Sequence, residues 1–331
     1  MAASKGHSPV IVQFLHAKAQ YPDALLFFRM GDFYELFFDD AIRAAELLGI
    51  VQTFRGKEPD GTPIPMAGVP HHAATGYLTR LLKLGQKVAI CEQMADPSTV
   101  KGVVPREVVR VITPGLCLEP DALDDRADHY LVGLHPGRER VGLCAFDLST
   151  GSLRACELPD VRAALAELAR LDPREILLPL LEGALPDALR EQLPATPLQL
   201  AAPLTASLLD EVLGATQAAD TRAAFGREAL AAIESVMAYA AASQPGTALS
   251  VQRVGLYDPS EQLILDEAAV RNLELVRTLG GERQGSLLHH LDATKTAMGA
   301  RLLRRRLLAP LTDVARIRRR YTLSLHDALP I

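Results

Sequence analysis

The segment Phe27-Phe28-Arg29-Met30-Gly31-Asp32-Phe33-Tyr34-Glu35-Leu36-Phe37 constrains the fold of this chain more than any other. Five of the nine phenylalanines lie between Phe27 and Phe38. The aromatic run breaks at Gly31-Asp32, which is turn chemistry, and resumes at Phe33. Strand-like alternation after the turn sends Phe33 and Glu35 to one face, roughly 7 Å apart. That face then carries a flat apolar ring and a carboxylate. Two readings fit the pair. It can be an edge-strand core residue with its solvated neighbour, since aromatic strands usually build core. Alternatively, the ring can insert at a weakened base step while the acid meets a base edge.

The chain has 331 residues, which is room for two or three domains. Its 48% hydrophobic and 23% charged residues fit a soluble globular protein. No apolar run reaches the length of a membrane span, and the N-terminus lacks a signal-peptide core. Cys91, Cys117, Cys144 and Cys156 form no close-spaced pair. Neither a disulfide framework nor a metal site is expected, and a reducing cytoplasm fits. Adjacent histidines on a helix point apart, so His71-His72 reads as a helix N-terminus or packing pair rather than a metal site. The net charge of −5 does not advertise nucleic-acid binding. Residues 295–320, however, carry nine Lys or Arg against one Asp, a local +8. That segment can be a phosphate-contacting surface, a solvated face, or one salt-bridged to protein outside this chain.

Local signals divide the chain. Ser8-Pro9 reads as N-cap and first helical position, with Ile11, Phe14, Leu15 and Lys18 at helical spacing. Leu25–Met30 and Phe33–Phe38 read as strands. Asp39 is placed to cap a helix ended by Gly49, and a Gly- and Pro-rich loop is expected from Gly56 to Pro70. A helix over Ala73–Leu84 and strands over Lys87–Met94 and Val103–Ile112 complete a small α/β domain, 1–112. A linker follows over 113–128. Alternation over Tyr130–Leu134, Arg140–Asp147 and Leu153–Leu158 gives a meander. A helix capped by Asp160 and a buried strand at Glu175–Leu178 follow it. This order suggests a ribonuclease-H-like α/β domain, 129–245. From Val251 the pattern turns helical, with amphipathic candidates at Asp266–Leu279 and Ala293–Leu308, giving a helical segment over 246–320. Tyr321–Ile331 breaks the pattern and reads as a non-native tail.

Three catalytic readings arise from the residues. Gly280-Gly281-Glu282-Arg283-Gln284-Gly285-Ser286 has the glycine spacing of a phosphate loop, but Ser286 stands where the lysine must be. A helix-ending Gly pair is the better account. Asp147, at a strand end before Ser149-Thr150-Gly151, resembles a nuclease carboxylate. Two-metal cleavage needs several convergent acids, and no second acid lies on a matching strand, so a turn-capping role is expected. No Gly-x-Ser-x-Gly element is present. The chain itself is read as non-enzymatic and as needing no cofactor.

The run Arg29 to Phe37 resembles the mismatch-recognition signature of the MutS family of DNA mismatch repair proteins. The similarity continues through Pro63-Ile64-Pro65-Met66-Ala67-Gly68-Val69-Pro70-His71-His72-Ala73, Val88-Ala89-Ile90-Cys91-Glu92-Gln93 and Val109-Arg110-Val111-Ile112-Thr113-Pro114-Gly115. Weaker similarity runs to about Arg320 and includes Thr296-Ala297-Met298-Gly299-Ala300-Arg301-Leu302-Leu303. The resemblance implies a multidomain α/β chain: mismatch-recognition domain, ribonuclease-H-like connector and the opening of an incomplete all-α core. It further implies the N-terminal part of a longer protein. Under it Phe33 is the wedge, stacking on a mispaired base from the minor groove, and Glu35 hydrogen-bonds that base. Arg29, Met30, Pro65 and Met66 line or support the approach. Phe54-Arg55-Gly56 stands where many relatives have Lys-Arg-Gly, leaving Arg55 and Lys57 as basic contacts. For the longer protein the resemblance implies ATP and magnesium, homodimerisation and a MutL-type partner, in a bacterial cytoplasm near the nucleoid. The competing reading is a connector-type interaction module with no DNA contact. Exposure of Phe33 separates the two.

Overall fold

A computed structural model describes residues 7–96, 102–119, 124–201 and 208–318. The 321–331 tail therefore lies outside the described residues, as does the end of the basic 295–320 segment. The chain forms two compact units. One comprises Met1–Leu123 with Met237–Ser250, the other Asp124–Val236 with Val251–Ile331. Among the described residues no helix is long and apolar enough to cross a membrane.

The first unit opens with helix α1 (Pro9–Gln20), whose N-cap Ser8 accepts from the Ile11 amide at 3.5 Å. Strands β1 (Leu25–Met30) and β2 (Phe33–Phe37) form the aromatic hairpin, followed by α2 (Phe38–Leu48). Strands β3 (Thr53–Lys57) and β4 (Pro63–Pro70), helix α3 (Ala74–Lys83), and strands β5 (Val88–Gln93) and β6 (Arg106–Ile112) complete it. The six strands lie in the order β3-β4-β2-β1-β5-β6, with β1 and β5 parallel and the other pairs antiparallel. Alternation divides two cores. Phe27, Tyr34, Leu36 and Val69 pack with α2 and α3, while Phe28, Phe37 and Ile64 pack with Ile11, Phe14 and Ala17 of α1.

Two local expectations are corrected here. The Gly56–Pro70 stretch is a β-hairpin rather than a loop. Proline is excluded from strand interiors because it cannot donate to the ladder. Here Pro63 and Pro70 sit at the ends of β4, and Pro65 faces the irregular edge strand β3, whose register shifts between Phe54 and Lys57. Asp39 is not a cap. The α2 helix starts at Phe38, leaving Asp39 in its first turn, where a negative charge suits the dipole. The neighbouring Asp40 is the structural acid: buried, it accepts from Lys18 Nζ at 2.8 Å and from the Leu26 amide at 3.0 Å.

The second unit contains the meander β7 (Tyr130–Pro136), β8 (Val141–Asp147) and β9 (Ser152–Leu158). Helix α4 (Val161–Leu171), capped by Asp160, leads to β10 (Glu175–Leu178), α5 (Ala184–Gln192) and β11 (Leu198–Leu200). Helices α6 (Leu208–Leu213), α7 (Ala215–Ala224) and α8 (Arg227–Ala242) follow, α8 passing into the first unit from Met237. The strand order is β11-β10-β7-β8-β9-β12, with β12 (Arg253–Leu256) parallel to β9. An antiparallel meander flanked by the parallel strands β10 and β11 is the expected ribonuclease-H-like layout. Helix α8 lies directly on glycines of this sheet. A Cβ at Gly142 would stand 1.9 Å from the Glu228 carbonyl oxygen, and one at Gly133 2.6 Å from Val236 Cγ2.

The remainder is less helical than its sequence suggests. Residues 253–256 are strand, and the candidate over Asp266–Leu279 shortens to α9 (Glu267–Asn272). The chain leaves that helix at Glu274, where φ is +49° and the side chain accepts from the Leu279 amide at 2.7 Å. Then come α10 (Leu287–Leu291) and α11 (Ala297–Leu308) with Thr296 as its N-cap. Three arginines of the basic segment find acids within the unit: Arg304 pairs with Asp172, Arg305 with Asp128 and Arg316 with Glu261.

Candidate nucleic-acid interface

The site grows from the β1–β2 hairpin. A two-residue connection twists with its strands when the first residue takes positive φ, and Gly31 supplies it at +60°. The turn is tied down further by the His71 amide, which donates to the Asp32 carbonyl at 2.8 Å. Phe33 is the first residue after the turn, held between Met30 on β1 and Pro70 on β4. Its ring is 48% exposed, whereas Phe27, Phe28 and Phe37 are at most 1% exposed. Helix α1 covers the Phe28 and Phe37 end of its sheet face and leaves the Phe33 end open.

Glu35 lies on this same face, paired with Phe28 and Gly68. Gly68 forms the floor beside both side chains: a Cβ there would lie 3.9 Å from Glu35 Cγ and from Phe33 Cδ1. Arg55 reaches over β4, and its Nη1 donates to Glu35 Oε1 at 2.7 Å and to Oε2 at 2.6 Å. Met30 and Met66 are half-buried on the same side, packed on the α1 core. A cavity of about 290 Å³ continues the face, lined by Ser8, Ile11, Phe37, Arg55, Lys57 and Ile64 among others.

Two expected members stand elsewhere. Arg29 pairs with the inward-facing Tyr34, lays its guanidinium 5.6 Å from that ring's centroid and donates from Nε to the Gly31 carbonyl at 2.5 Å. It braces the turn from the other face. Pro65 alternates with Met66, so it also faces the opposite side, against Phe54. The structure thus gathers Phe33, Glu35, Met30, Met66 and Arg55 on one face and leaves Arg29 and Pro65 on the other.

Arg106 belongs to the gathered face although sequence reasoning passed over it. Its guanidinium sits 5.1 Å from the Phe28 centroid, and it donates to the carbonyls of Arg29 at 2.7 Å and Val104 at 2.9 Å. Burial pulls it below its ordinary pKa, and nearby Cys91 and Glu35 act in the opposite sense. The available signal was parity: Arg106 alternates with Val108, which packs on the α1 core. Arg55 and Arg106 thus stand on the same face as the single carboxylate of Glu35.

The other candidate groups are used locally. Asp147 is fully buried and accepts from the Ser149 amide at 2.9 Å, Ser149 Oγ at 2.6 Å and the His129 amide at 3.4 Å, which is the turn-capping role. Among the described residues no group of three or more His, Cys, Asp or Glu is placed to hold a metal ion. Ser286 caps the five-residue α10, accepting from the His289 amide at 3.2 Å.

Three family models match the chain in order: MutS domain I over residues 8–121, MutS domain II over 129–188 and MutS domain III over 268–324. The DNA mismatch repair protein MutS of Sorangium cellulosum (strain So ce56) is 47% identical over 342 residues, covering 96% of this chain and 36% of the relative. The protein of the same name from Desulfosudis oleivorans (strain DSM 6200 / JCM 39069 / Hxd3) is 41% identical over 328 residues, covering 96% and 37%. The chain therefore spans little more than a third of these relatives. The hairpin that exposes Phe33 lies inside the stretch matched by MutS domain I, and the chain belongs to the MutS family of DNA mismatch repair proteins.

Proposed function

We propose that this chain senses mismatched base pairs in double-stranded DNA through Phe33 and Glu35. The observation that carries the reading is the 48% exposure of Phe33 beside three buried aromatics of the same hairpin. A ring that served only the core would be covered as they are, so the exposure supports a probing role for Phe33.

The mechanism follows from the energetics of the duplex. Phe33 inserts from the minor groove between bases, which costs a few kcal/mol of unstacking per step and bends the DNA. A mismatch or bulge has already lost part of that stacking, so insertion costs less there and deformability is read as specificity. Glu35 faces a field of phosphates that repels a carboxylate. Its hydrogen bond to the edge of a mispaired base offsets that repulsion, and paired bases offer no such bond. Met30 and Met66 support the ring, while Arg55, Lys57 and Arg106 meet the backbone. Arg29 and Pro65 act from behind, by fixing the turn and the β3–β4 pairing.

The same proposal extends to the longer proteins this chain matches: repair in the bacterial cytoplasm near the nucleoid, as an ATP- and magnesium-dependent homodimer with a MutL-type partner. The phosphate-loop-like segment here does not fit a triphosphate. Gly280–Ser286 carries no lysine and feeds a five-residue helix whose cap Ser286 already fills.

Fluorescence-anisotropy titrations of the full chain on matched duplex and on duplex carrying one mismatch or one unpaired base test the reading. The parent chain prefers the defective duplex and Phe33→Ala loses the preference. Preference retained by Phe33→Ala overturns the assignment.

A further inference from the structure

Both carboxylate oxygens of Glu35 are engaged by a single nitrogen, Arg55 Nη1, at 2.7 and 2.6 Å. A base edge that bonds Glu35 must compete with Arg55 for the same charge. The geometry also says which partner can leave. The Glu35 side chain is only 14% exposed and sits on an internal strand, whereas that of Arg55 is 51% exposed. Arg55 rides on β3, the edge of the sheet, where all five residues are exposed and the register shifts between Phe54 and Lys57. It can swing away without disturbing either core.

We infer that Arg55 sets mismatch specificity by holding Glu35, neutralising the carboxylate on paired DNA and yielding it to a base at a defect. The inference rests on the Phe33 and Glu35 reading above. On a matched duplex the ion pair stays closed, the repulsion between Glu35 and phosphate is muted, and Arg55 aids binding. At a mismatch the pair must open, so Arg55 opposes the bond that gives discrimination. Arg55 therefore lowers the ratio of mismatched to matched affinity. An arginine that only contacted phosphate would move both affinities by the same factor.

The test is a set of anisotropy titrations of the full chain on matched and single-mismatch duplexes. The variants are Arg55→Gln, Arg55→Lys, Glu35→Ala and the double variant Glu35→Ala/Arg55→Gln, beside Phe33→Ala. An ion pair with one exposed partner corresponds to a change of roughly 1.4- to five-fold, so Arg55→Gln is expected to raise the affinity ratio by that factor. Because one nitrogen makes both contacts, an ammonium can replace it, and Arg55→Lys is expected to keep the parent ratio. In the Glu35→Ala background Arg55→Gln leaves the ratio unchanged, which isolates the coupling between the two residues. A ratio that stays flat or falls in Arg55→Gln, or that shifts equally with and without Glu35, overturns the inference. If Phe33→Ala abolishes the preference while Arg55→Gln leaves the ratio flat, only this inference fails. If the parent shows no preference, or Phe33→Ala retains it, the underlying reading fails as well. Thermal melts accompany each variant, and Arg55→Thr, suited to an exposed strand, carries the same comparison should Arg55→Gln melt early.

Discussion

Truncating Phe33 and truncating Phe28 are expected to have opposite consequences, although the residues lie five apart in one hairpin. Phe28 is fully buried, with the Phe14 ring 5.7 Å away and Arg106 above it. Removing a buried phenylalanine forfeits its transfer energy and leaves a cavity, about 3–5 kcal/mol. That is a large share of the stability of a small domain. Phe33 keeps about half its surface in water. Burying a whole phenylalanine is worth about 1.5–3 kcal/mol, so Phe33→Ala should cost about 1 kcal/mol or less, with no cavity beneath it. Against DNA the order reverses. Base–aromatic stacking is worth about 1–3 kcal/mol per base, so Phe33→Ala should lose about five- to 150-fold in affinity for a mismatch and little for matched duplex. Urea unfolding followed by circular dichroism gives the stability arm, and anisotropy at fixed salt gives the binding arm. If Phe33→Ala destabilises as much as Phe28→Ala, the ring is a core residue and the reasoning fails.

Three further outcomes are expected. Glu35→Ala should bind matched duplex more tightly than the parent and narrow the mismatch ratio, read in the same titrations; a widened ratio would count against its base-bonding role. Gly142→Ala should cost about 3 kcal/mol in urea unfolding, because its Cβ would meet the Glu228 carbonyl at 1.9 Å. Gly255→Ala, whose nearest contacts are 3.9 Å away, should stay within about 0.5 kcal/mol of the parent. Asp128 carries a pH signature. Burial opposes its charge, but the Arg305 guanidinium outweighs burial and holds its pKa below the ordinary value. A depressed carboxyl stabilises the fold above the unfolded pKa, about 3.9, and loses that contribution as pH falls through the lower native value. Asp128→Asn should cost about 2–4 kcal/mol near neutrality and flatten stability below pH about 4, checked by thermal melts across that range.

Elements whose signals are local were legible in the sequence. Ser8-Pro9 and Asp160 announce α1 and α4 because a cap acts within three residues of itself. The β1–β2 hairpin is written in Gly31-Asp32 and in the alternation around it. Where partners are remote the sequence fell short. Strand β4 reads as loop because three prolines fall where only its neighbours show that they do no harm. Strand β12 exists by parallel pairing with β9, about a hundred residues earlier, and carries no alternation of its own. At the site, the exposure of Phe33 depends on where α1 stops covering the sheet, which no local pattern states. The Glu35–Arg55 pair spans an intervening strand, and Arg106 arrives from β6. Facing residues within one strand can be assigned from parity; ion pairs across strands need the register.

The exposed Phe33 ring is mounted on the tightest kind of strand connection, between two strands that each have a neighbour on both sides. A turn this short, between strands paired on both edges, leaves the ring little backbone on which to yield. Under the proposed reading, strain between protein and duplex would accumulate in whichever body is softer, which for a rigid mount is the nucleic acid. Discrimination then depends on a contrast in stiffness. Loosening the turn, by lengthening it or replacing Gly31 with a residue that resists positive φ, would let the ring give way before the bases do and blur the distinction without altering a single contacting side chain.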